Sequence, residues 1–377
     1  MWRVILGLLL LLTIYSDPLS RPKTPTPPPQ PDDGPGGRKL SHAVVTKNRY
    51  GKGVDEYWLY EPDSPKPRSA PLIVFLHGWG GTNPAVYGGW LDHLVKRGNI
   101  VVYPRYQSDL LTPLSEFTPN TIAALKNAIQ RLQTEPGHVR PELNRVAIVG
   151  HSVGGLLTAN VAALAGESGL PQVRAMMSVE PGRTWNPFRF INVPLVDLKR
   201  IPSATLLLAV AGDDDTIASD TDAKRIYYES VKIPAANKDF VRLMSDSHGR
   251  PQLRADHFAP VSPDKSYDNG EQSAFNRDGR GGPLRESIKE RMEDRGKQNS
   301  NSNPSNQLPA MAQTTSSSPA ANALDYYGLW KLFDALCDAA FYGKHRQYAL
   351  GNTPQQRFMG VWSDGVRVKE LVITDKP

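Results

Sequence analysis

The sequence contains a single cysteine, Cys337, and this scarcity excludes several classes of protein. One thiol cannot close an internal disulfide, so the chain is not a disulfide-stabilised scaffold. Zinc ribbons and iron–sulfur proteins need several cysteine ligands and are excluded for the same reason. Only one long apolar run is present, which excludes a membrane protein with several spans. Walker and dinucleotide-binding glycine motifs are also missing, and we predict no cofactor and no metal site.

The composition favours a globular protein with an irregular part. Hydrophobic residues make up 39% of the 377 residues and charged residues 22%, so a sizeable core can form. The 33 prolines are more than an ordinary domain carries, and they are concentrated in particular stretches. The net charge of +6 comes from 44 basic and 38 acidic residues spread along the chain, so we predict no nucleic-acid partner.

The N-terminus predicts export. Residues 1–16 contain one early cation, Arg3, followed by an apolar run of about eleven residues, which is typical of a secretory signal. This run is shorter than the roughly twenty residues that a membrane-spanning helix needs. We therefore favour an export signal, and an uncleaved N-terminal membrane anchor is the alternative. We expect a periplasmic or secreted protein. The proline-rich residues 17–40 predict a disordered linker in extended polyproline geometry.

Residues 41–377 predict one α/β domain. Continuous apolar runs such as LIVFL at 72–76 are typical of strands that are covered on both faces. These runs alternate with helical patterns, which predicts a mostly parallel sheet with helices on both faces. The last strand is expected at 240–244. From about 262 to 322 the chain is poor in apolar residues, and we predict a disordered insertion there.

The sharpest motif is Gly-x-Ser-x-Gly, formed by Gly150, His151, Ser152, Val153 and Gly154. A strand-like segment precedes it and a helical one follows, as in a nucleophile elbow. The turn would be so tight that only glycine fits two residues before and two residues after the serine. We therefore predict Ser152 as a nucleophile and interpret His151 as the variable position of the motif. The alternative is a tight turn whose serine has no chemical role.

A glycine-rich loop follows the strand LIVFL and contains His77, Gly78, Trp79 and Gly80. Such a loop can aim backbone N–H groups at one point, as the oxyanion of an acyl-transfer intermediate requires. We assign the donors to the amides of Trp79 and Val153 and expect His77 to orient the loop. An ordinary glycine turn is the alternative.

An acid is expected after the next strands, because the order serine, acid, histidine is typical of this arrangement. Asp213, Asp214 and Asp215 follow the strand TLLLAV, and the spacing favours Asp215. The other two aspartates would cap or hold the turn. Glu180, at the end of the preceding strand, is a weaker rival.

Two histidines are candidates for the base. His248 lies four residues beyond the strand that is predicted to end at Met244, and His257 lies thirteen residues beyond it. We favour His248, because a base on a short loop reaches the serine without a long excursion. His257 is the alternative base; otherwise it is a loop residue bonded to Asp256.

Four aromatic residues are candidates for an apolar substrate pocket, with core packing as the alternative: Trp79, Tyr87, Tyr106 and Trp185.

The strings LHGWGG, GHSVGG, GDDDTI and SDSHG together resemble the α/β-hydrolase superfamily. Within it the chain is similar to chlorophyllase-like, dienelactone-hydrolase-like and polyester-hydrolase-like esterases. The resemblance implies a Ser152–His248–Asp215 triad that hydrolyses a small or polymeric ester through an acyl-enzyme. A serine peptidase or amidase of the same fold is the first alternative. The second is an inactive fold that serves binding at the cell surface.

Overall fold

The computed structural model describes residues 24–109, 112–182, 193–270 and 321–377. The predicted signal segment 1–16, most of the predicted insertion and Trp185 lie outside these ranges. Within them, no helix combines the length and the apolar character that a membrane span requires.

The described residues form one nine-stranded sheet. Its strands are β1 (Val44–Tyr50), β2 (Tyr57–Asp63), β3 (Ser69–Leu76), β4 (Ile100–Pro104), β5 (Arg140–His151), β6 (Val173–Val179), β7 (Leu206–Gly212), β8 (Lys238–Leu243) and β9 (Val372–Thr374). The order across the sheet is β1-β2-β4-β3-β5-β6-β7-β8-β9. All pairs from β4 to β8 are parallel, whereas β1, β2 and β9 pair antiparallel. The prediction of a mostly parallel sheet is confirmed, and β9 is an additional edge strand.

Helices cover both faces of this sheet. They are α1 (Gly88–Lys96), α2 (Leu114–Thr134), α3 (Val153–Leu164), α4 (Thr221–Glu229), α5 (Lys331–Tyr342) and the short α6 (Pro354–Arg357), and a π-helical stretch (Leu324–Trp330) leads into α5. Shorter 3-10 turns lie at Gly53–Asp55, Pro84–Tyr87, Leu198–Arg200, Ala235–Asn237, Lys265–Tyr267 and Arg346–Tyr348.

Strand β3 shows why its sequence is apolar throughout. Ile73 and Phe75 pack in the core layer that contains Trp90 of α1 and Phe333 of α5. Leu72, Val74 and Leu76 pack in the opposite layer, against residues of α2 and α3. Because side chains alternate along a strand, a strand covered on both faces needs apolar residues at every position.

The proline-rich segment is packed from residue 24 onward. The carbonyl of Pro25 accepts a hydrogen bond from the amide of Arg250 at 2.8 Å, and that of Pro29 accepts one from the Tyr327 hydroxyl at 3.1 Å. The amide of Gly36 donates to Asp334 Oδ2 at 2.8 Å. Proline lacks an N–H group but keeps its carbonyl, so a stiff extended segment can still be held by donors of the domain. Residues 24–40 therefore do not form the disordered linker that we predicted.

The start of the predicted insertion is also packed. The amide of Gly89 donates to the carbonyl of Ser262 at 2.8 Å. Tyr267 is buried, and its ring lies edge-on to that of Tyr60 with 5.1 Å between centroids. The packed domain thus continues to Tyr267, beyond the boundary predicted near 262.

Candidate active site

Ser152 occupies the sharp turn between β5 and α3. Its backbone has φ 56° and ψ −122°, a combination that is strained for a residue with a side chain. A Cβ atom at Gly150 would lie 2.2 Å from the carbonyl oxygen of Gly154, and one at Gly154 would lie 2.1 Å from that of Leu76. The tight turn predicted from the motif is present, and its two glycines allow the backbones to approach this closely.

Three side chains from the segments that follow β5, β7 and β8 form a continuous hydrogen-bonded line. Ser152 Oγ lies 2.9 Å from Nε2 of His257, and Nδ1 of the same ring lies 2.9 Å from Asp215 Oδ2. The three residues are nearly buried, with exposed fractions of 5% for Ser152, 2% for His257 and 6% for Asp215. A hydroxyl, an imidazole and a carboxylate in this order can pass a proton from the serine and support the resulting positive charge.

The structure places His257, not His248, beside the serine, and our preference for His248 was wrong. Nε2 of His248 lies 2.8 Å from Asp364 Oδ2 in a partly exposed pair near the C-terminus. The expected bond between His257 and Asp256 is replaced by the bond to Asp215.

The longer loop reaches the site because it folds back on itself. Asp246 and Leu253 exchange two backbone hydrogen bonds of 2.8 and 3.0 Å, which close the excursion that carries His248 at its far end. The chain therefore returns to the sheet edge before it reaches His257. The number of residues after β8 therefore does not indicate how close a histidine lies to the serine.

The three consecutive aspartates hold different parts of this loop. Asp213 Oδ1 accepts from the amide and the hydroxyl of Ser245 at 2.9 and 2.5 Å. Asp214 pairs with Arg254 at 2.6 Å. Asp215 alone points to the imidazole, as its spacing predicts.

Asp215 is held as a carboxylate. Burial raises its pKa, but the hydrogen bond and charge of His257 and the amides of Ala218 and Ile217 lower it more, so the pKa lies below its usual value. These amides donate to Oδ1 at 2.8 and 2.9 Å and leave Oδ2 for the imidazole. The arrangement fixes which ring nitrogen of His257 faces the serine.

The glycine-rich loop after β3 lies next to the serine, since a Cβ atom at Gly78 would be 3.4 Å from Ser152 Cβ. The amide of Gly80 donates to Gln107 Oε1 at 2.9 Å, so it is already engaged. The amides of Trp79 and Val153, in contrast, have no hydrogen-bond acceptor among the described residues. These are the two donors assigned from the sequence.

Two of the predicted pocket aromatics, Tyr87 and Tyr106, pack inside the domain. Tyr87 and Tyr106 are fully buried. The Tyr106 ring stacks on His77 with 4.1 Å between centroids, and its hydroxyl donates to the His77 carbonyl at 2.5 Å. Both tyrosines therefore support the loops rather than line an open pocket, and Trp185 lies outside the described residues.

His151 has a larger part in the site than the sequence indicated. Its Nδ1 lies 2.8 Å from the Tyr87 hydroxyl, and its Nε2 lies 2.8 Å from the backbone carbonyl of His257. Burial, and next the charge of His257, lower the pKa of His151 to about 3, so the ring is neutral. A histidine next to the nucleophile was the only signal of this role in the sequence.

Glu180 is a buried acid that takes no part in the hydrogen-bonded line. It follows β6 with φ 43°, is fully buried, and has no hydrogen-bond partner for either carboxyl oxygen among the described residues. Burial, and next the charges of Asp215 and Asp256, raise its pKa well above the usual value. The geometry thus favours Asp215 over this rival.

His151, Glu180 and His257 bring three possible metal ligands within 4.8 Å of one another. Each ring nitrogen of both histidines already has a hydrogen-bond partner within the site. Only Glu180 has free ligand atoms among these residues. One carboxyl group is too little for a zinc site, which needs three or four protein ligands, so the set fits a metal ion poorly.

The topology and the loops together identify the architecture. The strands follow the order β1-β2-β4-β3-β5-β6-β7-β8. The serine turn follows β5, the acid follows β7 and the histidine follows β8. This is the α/β-hydrolase fold. The model of the chlorophyllase family matches residues 63–188, a segment with strands β3 to β6 and Ser152 but without Asp215 and His257. No curated protein matches the sequence significantly. The fold and the family match together indicate a hydrolase.

Proposed function

We propose that the protein is a serine hydrolase that cleaves carboxylic esters through an acyl-enzyme. The observation that carries the proposal is the line Ser152–His257–Asp215, with 2.9 Å at each of its two contacts. The similarity of residues 63–188 to the chlorophyllase family supports an ester as the substrate.

In the proposed acylation, His257 Nε2 takes the proton of Ser152 Oγ as this oxygen attacks the ester carbonyl carbon. The electron pair of the carbonyl π bond moves to its oxygen, which accepts hydrogen bonds from the amides of Trp79 and Val153. The tetrahedral intermediate then collapses and its bond to the leaving oxygen breaks. His257 gives its proton to this oxygen, so the alcohol leaves neutral.

Deacylation repeats these steps with water as the nucleophile. His257 accepts a proton from water, the hydroxyl attacks the acyl carbon, and Ser152 Oγ leaves with the proton returned by the ring. Asp215 remains ionised throughout, because its lowered pKa favours the carboxylate. It orients the ring and stabilises the imidazolium form in both halves of the cycle.

The Val153 amide lies beside Gly182, because a Cβ atom at Gly182 would be 3.5 Å from Val153 N. This amide is also at the N-terminus of α3, where the helix dipole favours negative charge.

The nucleophile is tested by Ser152→Ala, assayed with short p-nitrophenyl esters. We expect kcat to fall by about 10³-fold or more, because the covalent route is lost. Ser203→Ala, at an exposed serine, is the control and should retain full activity. An active Ser152→Ala variant with unchanged kcat would reject the proposed mechanism.

A further inference from the structure

We infer that Tyr87 and His151 are positioning residues that tie the oxyanion loop to the catalytic base. Three hydrogen bonds run from the amide of Gly78 through these two side chains to the backbone carbonyl of His257. The inference rests on the proposed function and assigns a role to two residues outside the triad.

The direction of each bond follows from the chemistry of its groups. The amide of Gly78 can only donate, so the Tyr87 oxygen accepts from it at 3.0 Å. At the other end, the carbonyl of His257 can only accept, so Nε2 of His151 carries the ring proton and donates to it at 2.8 Å. The bare Nδ1 of the neutral His151 ring then accepts from the Tyr87 hydroxyl at 2.8 Å.

The surroundings keep this direction fixed. Tyr87 is fully buried and His151 is 2% exposed, so water does not compete for the bonds. The pKa of His151 is lowered to about 3, and burial raises the pKa of Tyr87 above its usual value. A second proton on His151 would make Nδ1 a donor, and the Tyr87 hydroxyl would lose its acceptor there.

The two ends of this connection are the two parts that must be held at fixed distances from the serine. Gly78 directly precedes Trp79, whose amide is a proposed oxyanion donor. The carbonyl at the other end belongs to His257 itself, whose ring is 2.9 Å from Ser152 Oγ. His151 is the immediate neighbour of Ser152, so the connection passes beside the nucleophile. Catalytic groups that move by about 1 Å can lose about 10²-fold in rate.

The Tyr87 ring also packs against Phe75, with 5.1 Å between centroids. Removing the whole side chain would therefore test packing rather than positioning. Tyr87→Phe keeps the ring and deletes only the hydroxyl in the middle of the connection. Tyr227→Phe is the matched control, since Tyr227 is a buried tyrosine whose hydroxyl donates to the carbonyl of Asp375 at 3.0 Å, away from the site.

The first readout is the second-order rate of Ser152 labelling by a fluorophosphonate, which needs no knowledge of the natural substrate. The second is kcat and KM for p-nitrophenyl acetate. For Tyr87→Phe we expect labelling and kcat to fall by about 10- to 100-fold, with KM within about threefold. Tyr227→Phe should stay within about twofold of the unmodified protein in both assays.

A double variant tests whether the two residues act as one unit. His151→Leu removes both of its hydrogen bonds, so adding Tyr87→Phe to it should lower the labelling rate by less than about threefold. Circular dichroism and the unfolding midpoint would establish that each variant is folded.

Two results would overturn the inference while the proposed function stands. One is a Tyr87→Phe variant that labels as fast as the Tyr227→Phe control. The other is a double variant whose loss equals the product of the two single losses. An unmodified protein whose Ser152 is not labelled would instead reject the proposed function, and the inference with it.

Discussion

At the scale of single residues, burial decides how the acids near the triad behave. Asp215 is paired with His257 and two amides, so it remains ionised. Glu180 is buried without such partners among the described residues, so its pKa is raised well above the usual 4.5. A carboxyl group can thus serve as a charged partner in one place and as a neutral group in the other.

The neutral state of Glu180 predicts a stability that depends on pH. The folded protein keeps the proton, whereas the unfolded chain releases it above pH 4.5. Between this value and the raised pKa the unfolded state binds fewer protons, so stability falls as pH rises, by about 1.4 kcal/mol per pH unit. Glu180→Gln cannot ionise and escapes this loss.

Urea unfolding at pH 4 and pH 7 measures the effect. The variant should gain stability relative to the unmodified protein as pH increases from 4 to 7. Glu116→Gln changes an exposed carboxyl of α2 and is the control, with little difference between the two pH values. An equal Glu180→Gln difference at both pH values would show that this carboxyl is ionised in the folded state.

At the scale of elements, the segment between β8 and His257 determines which histidine reaches the serine. Ser245 joins its two ends, because its hydroxyl donates to Asp213 and accepts from the amide of Ala255 at 3.0 Å. Ala255 is two residues before His257. Ser245 thus holds the returning arm of the loop near the end of β7.

Ser245→Ala should therefore reduce activity without touching the triad. We expect kcat to fall by about threefold to tenfold, because Ala255 loses a partner and His257 loses some of its restraint. Asp214→Ala is the comparison, since its pair with Arg254 is exposed on both sides and contributes about 0–1 kcal/mol. Steady-state kinetics of both variants give the measurement. Equal effects of the two changes would contradict this role for Ser245.

The elements and strand ends could be predicted from sequence more reliably than the paths between them. Apolar runs covered on both faces predicted the parallel strands, and residues that follow such strands meet at one sheet edge. Ser152 and Asp215 follow their strands within a few residues, so both could be assigned. His257 is separated from β8 by a hairpin-like excursion that depends on long-range contacts, and a count of residues favours His248 instead.

At the scale of the whole molecule, the packed domain is larger than its sequence suggested. Prolines from residue 25 onward predicted a free linker, yet their carbonyls accept hydrogen bonds from Arg250 and Tyr327. Those donors are more than 200 positions away along the chain, and no local sequence pattern predicts these contacts. Composition describes what a segment can do alone, whereas tertiary contacts decide whether it is held. The export signal stays a prediction.

Ser152, His257 and Asp215 bring distant segments of the chain together in one hydroxyl–imidazole–carboxylate line. Replacing each histidine separately by alanine, and measuring turnover of a p-nitrophenyl ester, tests it most directly. His257→Ala should lower kcat by about 10³-fold or more, because no other described side chain accepts the serine proton. His248→Ala should remain within about threefold, since it loses only a partly exposed pair with Asp364. Full activity of His257→Ala together with an inactive His248→Ala would contradict the account.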